Sequence, residues 1–312
     1  MRATELASVV PPAEEHGGDG GRVAAALGLD PATILDLSAS MNPVAPDPVP
    51  VLARHLHATR HYPDPRPATA ALADVLGVDR RRVLLTNGGS EAIALVAAEV
   101  RRGWVEEPDF SLYRRHLEIL DGGGPRFRSN PNNPTGVLAA PDDGAAVWDE
   151  AFYPLATGRW TRGDADRGAI VVGSLTKVLA CPGLRLGYLL APDGDLVERL
   201  ARRQPAWSVN GLAAEALPAL LAPVDLPAWA SSITDLRREL VAVLQPHGLR
   251  PAPSAANYVL VGGAAGLRQR LAQQGVVVRD CASFGLPDHV RIAVPDAGGL
   301  DRLRTALERT TP

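Results

Sequence analysis

The sequence predicts an α/β protein: a mainly parallel sheet covered by helices, followed by a smaller α+β C-terminal domain. Three observations carry this. From Val83 onward, short apolar runs alternate with turn signals and helical stretches, the pattern of strand–crossover–strand units. The run Ala169-Ile170-Val171-Val172-Gly173 is apolar throughout, as a strand covered on both faces must be. Toward the C-terminus, strands at residues 257–261, 276–278 and 290–293 are separated by helices and form a small sheet of their own. The expected organisation is an N-terminal arm over 1–40, a large domain over 41–205 and a small domain over 206–312.

The elements follow in order. Residues 1–12 read as frayed, and the ordered chain opens at His16-Gly17-Gly18. Residues 22–27 are helical, and 34–37 form a strand running into Ser38-Ala39-Ser40-Met41-Asn42-Pro43. Prolines make 44–50 an extended linker. Residues 51–58 are helical, 60–65 extended, and 68–76 helical with Gly77 as the stop. Strand 83–86 turns through Asn87-Gly88-Gly89 into a helix from Ser90 to about Val100. Residues 130–136 are a polar loop, and 145–148 a strand ending at Asp149-Glu150. Strand 169–173 ends at Ser174-Leu175-Thr176-Lys177, and 184–190 is a further strand. Residues 196–203, 212–221 and 226–245 are helical.

Composition narrows the function. The chain has 312 residues, 46% of them hydrophobic, enough for a sizeable core, but only 4% aromatic, so Ala, Leu and Val fill it. A net charge of −3 with no basic block argues against nucleic acid. The two cysteines, Cys181 and Cys281, have no metal spacing and form no disulfide framework. No signal-peptide pattern and no 18-residue apolar run is present. The expectation is a soluble cytoplasmic protein, with no membrane partner and no metal.

Lys177 is the most informative residue. A lysine at the end of a buried strand is costly to desolvate. It is either paired and solvated at the strand's mouth or held covalently as a Schiff base with a carbonyl cofactor. Ser174 and Arg185 favour the second reading, since a hydroxyl and a guanidinium suit one phosphate. Three further polar clusters fall at the carboxyl ends of strands, where parallel sheets gather ligands. Gly88-Gly89-Ser90-Glu91 opens a helix and is an anion site or a simple N-cap. Asn132-Asn133-Pro134-Thr135-Gly136 is a ligand loop or a turn. Asp149-Glu150 is a site carboxylate, an N-cap or a salt-bridge pair.

Their order and wording resemble the fold-type I pyridoxal-phosphate enzymes of the class I/II aminotransferase superfamily. The carrying residues are Asn130-Pro131-Asn132-Asn133-Pro134-Thr135-Gly136, Asp149-Glu150-Ala151-Phe152, Ser174-Leu175-Thr176-Lys177 and Gly183-Leu184-Arg185-Leu186-Gly187-Tyr188. Within it, the chain resembles the threonine-phosphate decarboxylase and histidinol-phosphate aminotransferase branch. The marks are His16-Gly17-Gly18, Asp36-Leu37-Ser38, Tyr62-Pro63-Asp64, Trp207-Ser208-Val209-Asn210 and Ala256-Asn257-Tyr258. The resemblance covers residues 16 to 310. It implies pyridoxal 5'-phosphate as cofactor, with Lys177 as Schiff-base lysine and proton-transfer base. It implies Asp149 on the pyridinium nitrogen, Asn133 on the phenolic oxygen and Tyr113 stacked on the ring. Gly89, Ser90, Ser174 and Arg185 hold the phosphate, and Tyr62 reaches it from the neighbouring subunit of a homodimer. Arg291 binds the substrate carboxylate and Arg279 a substrate phosphate, while His16 and Asn42 line the substrate site.

The implied reaction is decarboxylation of threonine phosphate, giving aminopropanol phosphate for the cobalamin side chain. Transamination of histidinol-phosphate type, β- or γ-replacement, and a cofactor-keeping binding protein are the alternatives. Two departures stand out. Residues 120–129 and 137–148 are short for the family, so a crossover between parallel strands lacks its helix; part of the sheet is left bare, is covered by a partner, or makes room for a different or larger substrate. Phe152 replaces a tyrosine common in aminotransferases, which favours the decarboxylase.

Overall fold

The computed structural model describes residues 10–310. The expected fraying of residues 1–12 falls mostly outside them. At Pro11, within them, the carbonyl accepts a hydrogen bond from the buried guanidinium of Arg268 at 2.8 Å, so the chain is tied down there. The chain divides into two units: residues 41–234 with 255–257, and residues 10–40 with 235–254 and 258–310.

The larger unit carries a seven-stranded sheet in the order Val83–Asn87, Leu186–Leu190, Ile170–Gly173, Val147–Asp149, Arg126–Ser129, Arg102–Val105, Ile119–Leu120. Leu186–Leu190 runs antiparallel to both neighbours, and the other pairings are parallel. The apolar run predicted as a buried strand is buried at all four positions from Ile170 to Gly173. Helix Gly88–Val100 follows the first strand. Helix Val49–Arg54 begins earlier than the proline-rich linker implied, because Pro50 sits in its first turn, where no backbone donor is needed.

The boundary expected at residue 205 is displaced. Helix Gly211–Leu221 and the start of helix Leu226–Leu244 join the larger unit. Leu217, Leu220, Trp229 and Ile233 lie in the same apolar cluster as Leu72, Val171 and Leu186, so burial of apolar area holds them there. The smaller unit carries a five-stranded sheet in the order Leu35–Leu37, Val276–Asp280, Val290–Ala293, Tyr258–Gly262, Arg250–Pro251. The arm is part of it, through the parallel pairing of Leu35–Leu37 with Val276–Asp280.

Strands Arg126–Ser129 and Val147–Asp149 are parallel neighbours, yet residues 130–146 between them contain no helix. The face is not bare, contrary to one expectation. Trp148 is fully buried. The guanidinium of Arg128 lies 5.6 Å from its ring centroid and that of Arg162 4.9 Å. Arg162 also donates to the carbonyls of Ala140 and Pro141, both at 2.9 Å, and Arg128 pairs with Asp143 at 2.8 Å. Two arginines and a loop replace the missing helix. Within the glycine run 122–124, Gly124 serves close approach: a Cβ there would stand 2.9 Å from the Gly103 Cα. No single helix among the described residues is long and apolar enough to cross a membrane.

Candidate active site

In the larger unit, the strand ends bring most of the expected residues to one place. Lys177 lies in the short helix Leu175–Val178, directly after strand Ile170–Gly173. Its ammonium stands 5.9 Å from the ring centroid of Phe152, so the residue replacing the family tyrosine gives the amine an apolar, electron-rich face. Asp149 ends the neighbouring strand and is buried. Its Oδ1 accepts from the Ala151 N–H and its Oδ2 from the Tyr113 hydroxyl, both at 2.9 Å. Burial pushes its carboxyl above the usual range; the Ala151 and Tyr113 hydrogen bonds and the Lys177 charge pull it back.

The anion cradle is built by close packing. Gly88 has φ +78°, and a Cβ there would meet the Arg185 guanidinium at 2.3 Å. Arg185 therefore lies against the first turn of helix Gly88–Val100, whose free N–H groups and dipole favour an anion. A Cβ on Gly89 would be 3.7 Å from that of Ser174, and Ser90 is exposed in the same turn. Asn133 is buried, and its backbone N–H donates to Ser129 Oγ at 2.8 Å.

Two expected roles change. Tyr113 is 1% exposed. Its ring is taken by Phe110, edge-on at 5.8 Å, and by Phe127 at 6.0 Å. It has no open face for stacking, and its hydroxyl is committed to Asp149. Phe110, three residues earlier and only half-buried, is the ring with an accessible side. The sequence signal was present as the pair of aromatics in Phe110-Ser111-Leu112-Tyr113, but spacing alone does not say which one is buried. Asn42 is also committed. Its Nδ2 donates to the Val178 carbonyl at 2.9 Å, and its N–H to that of Lys177 at 3.1 Å. It braces the lysine segment.

Tyr62 is 78% exposed and packs on Trp207 with ring centroids 4.5 Å apart. His16, Arg279 and Arg291 belong to the smaller unit. His16 is half-buried, beside a stretch pinned by the Gly18 N–H donating to Ser38 Oγ at 2.8 Å. Arg291 donates to the Ser38 carbonyl at 3.0 Å and lies over the Tyr258 ring at 4.8 Å. Arg279 donates to the Glu14 carbonyl at 2.6 Å, the Ser283 hydroxyl at 2.8 Å and the Glu15 carbonyl. A residue the sequence reading missed is Asp109, a buried carboxylate hydrogen-bonded to Ser129.

A phosphate cradle, a buried carboxylate able to keep a ring nitrogen protonated and a lysine at a strand mouth fit pyridoxal phosphate. Comparison with known proteins agrees. The family described as aminotransferase class I and II matches residues 127–308. The threonine-phosphate decarboxylase of Salmonella typhimurium is 33% identical, with 94% of this chain and 95% of that protein covered. That alignment runs over 350 positions, more than the chain's 312 residues, so the chain carries deletions relative to it. Histidinol-phosphate aminotransferase 2 of Methylococcus capsulatus is 30% identical, over 88% of this chain and 90% of that protein. The histidinol-phosphate aminotransferase of Sinorhizobium meliloti, solved in complex with pyridoxal-5'-phosphate, superposes with a TM-score of 0.81 at 19% identity, covering 94% of each chain. The chain belongs to the class I and II aminotransferase family, with its fold-type I architecture, and is a pyridoxal-phosphate enzyme.

Proposed function

We propose that the chain is a lyase that decarboxylates an amino acid carrying a phosphate, of the L-threonine O-3-phosphate type. The observation that carries this is Arg279 directly opposite Arg291 on adjacent antiparallel strands. They are 4% and 6% exposed. Like charges facing each other across a ladder are destabilising, and burial together with the Arg291 charge pushes Arg279 down to about 10. A substrate with two anionic groups, a carboxylate and a phosphate, offsets that cost. Arg291 takes the carboxylate, Arg279 the phosphate, and His16 lines the same substrate.

When bound, the cofactor supplies an electron sink for the substrate's α-carbon. Lys177 would hold it, and its amine would return a proton to that carbon after carbon dioxide has left. Asp149, oriented by Tyr113, keeps the ring nitrogen protonated. Gly89, Ser90, Ser174 and Arg185 would hold the cofactor phosphate, Asn133 would donate to its phenolic oxygen, and Phe110 would cover its face. Tyr62 acts across a homodimer, its exposed ring reaching the second copy's phosphate site. The product, an aminopropanol phosphate, serves cobalamin side-chain synthesis in the cytoplasm.

The second reading is an aminotransferase of histidinol-phosphate type, favoured by the comparable similarity of the Methylococcus protein. Incubation with threonine phosphate decides between them. Stoichiometric carbon dioxide with the cofactor returned to its starting spectrum supports the lyase. Conversion of the cofactor to its amine form without gas release supports the aminotransferase and overturns the lyase.

A further inference from the structure

Asp109 has no part in the roles above, yet it is 2% exposed. Its Oδ2 accepts from the Ser129 N–H at 3.0 Å and its Oδ1 from the Phe110 N–H at 2.7 Å. Oδ1 also meets the Ser129 hydroxyl. Above neutral pH, where Asp109 is ionised, its carboxylate only accepts, so the hydroxyl proton is directed to Asp109. The Ser129 lone pairs are left facing the Asn133 N–H, 2.8 Å away. Ser129 also stands opposite Asp149 in the strand pairing.

We infer that Asp109 is a positioning residue for the cofactor: acting through the Ser129 hydroxyl, it fixes the Asn133 loop and with it the donor that Asn133 offers to the phenolic oxygen. A scaffold role alone accounts poorly for the residue type. A buried carboxylate is costly, and a packed apolar side chain is cheaper. Burial pushes this one up to about 7 against the pull of its hydrogen bonds, so the cost is retained in the folded protein.

The inference rests on Asn133 serving the cofactor, and the test separates the two. Wild type, Asp109→Asn, Ser129→Ala and Asn133→Ala are stripped and reloaded with pyridoxal phosphate above neutral pH. Two quantities are read: the cofactor dissociation constant, by fluorescence titration, and the pH midpoint of the visible absorption band. Asp109→Asn presents a donor or a weaker acceptor to Ser129. Affinity is expected to fall about tenfold. The midpoint is expected to rise by roughly one unit, because the phenolate loses a donor that favoured its charged form. Ser129→Ala should do the same, and the double variant should be no worse than either single one, as expected for one shared path. Ser129→Ala removes a single oxygen, so the question is answered even where Asp109→Asn does not fold. A lowered Tm with an unmoved midpoint in both variants, while Asn133→Ala shifts it, overturns the inference and leaves Asn133 in place. An unmoved midpoint in Asn133→Ala as well removes the role of Asn133 and the inference together.

Discussion

The Tyr113 hydroxyl donates to Oδ2 of Asp149 across 2.9 Å, with both side chains buried. With the Ala151 N–H and the Lys177 charge, this bond favours the ionised carboxylate against the burial that opposes it. In Tyr113→Phe, Asp149 loses that donor and its carboxyl moves further up. The expected result is cofactor binding about tenfold weaker and a stability loss of roughly 1–3 kcal/mol from the unsatisfied buried acceptor. Cofactor titration and urea unfolding check it. Unchanged affinity would show that the phenol contributes only to the core.

Phe110 carries the opposite expectation. Its ring lies edge-on to Tyr113 and is only half-buried, so in the proposed stacking role its removal would expose the cofactor's face more than it would open the core. Phe110→Ala should weaken cofactor binding by at least as much as Tyr113→Phe while lowering Tm less. A larger Tm loss with intact affinity would place the ring in the scaffold.

Much of the cofactor end was legible because its polar residues end buried strands, where an apolar run stops at a lysine or a carboxylate. Ser174, Lys177, Asp149 and Gly89 come together as that logic implies. Tyr113 misled because two aromatics three residues apart offer the same chemistry, and only packing against Phe127 decides which one turns inward. Asp109 was invisible because it follows Glu106-Glu107-Pro108 and reads as one more solvated acid. Its burial depends on Ser129, twenty residues away. The arginine cover of Trp148 was equally hidden, since the sequence shows a missing helix but not its substitute. The boundary at residue 205 failed because helix Gly211–Leu221 is apolar enough for either core, and contact with the cluster around Leu72 settles it.

Lys177→Ala separates chemistry from folding. The side chain is half-buried at a strand mouth, and its segment stays tied by the Asn42 N–H to the Lys177 carbonyl, a backbone contact that the substitution keeps. The protein is expected to fold with a near-native Tm, to lose the visible cofactor band and to form no product above the uncatalysed rate. Retained turnover would remove Lys177 from the reaction.

Arg162 stands in for a helix. It bonds three carbonyls of the 137–146 loop, those of Ala140, Pro141 and Asp143, and covers the Trp148 ring. Arg162→Ala should cost about 2–4 kcal/mol, because charged hydrogen bonds and ring cover are lost together. The lesion lies on the face of the sheet, so the pH midpoint of the cofactor band should not move. Denaturant unfolding and the absorption spectrum test both halves. A stability within about 0.5 kcal/mol of wild type would mean that the loop holds itself.

Stability of the cofactor-free protein should fall as pH rises from mildly acidic conditions to about 7. Burial pushes Asp109 up to about 7 from 3.8 and Glu150 up to about 7 from 4.5. Both neutral acids are favoured by the folded state, which therefore binds more protons than the unfolded chain between these limits. The stabilisation is complete below the unfolded values and is lost as pH rises toward the folded ones. Each group contributes roughly 1–3 kcal/mol of decline between about pH 5 and about pH 7. Above pH 8 the term is spent, and the curve should flatten. Glu150→Gln keeps a side-chain acceptor for the Arg162 N–H, which Glu150 now receives at 3.1 Å, and cannot titrate. The variant should lose stability less steeply over the same window, and Asp109→Asn likewise. Parallel curves for wild type and both variants would show that neither carboxyl is held neutral in the folded protein.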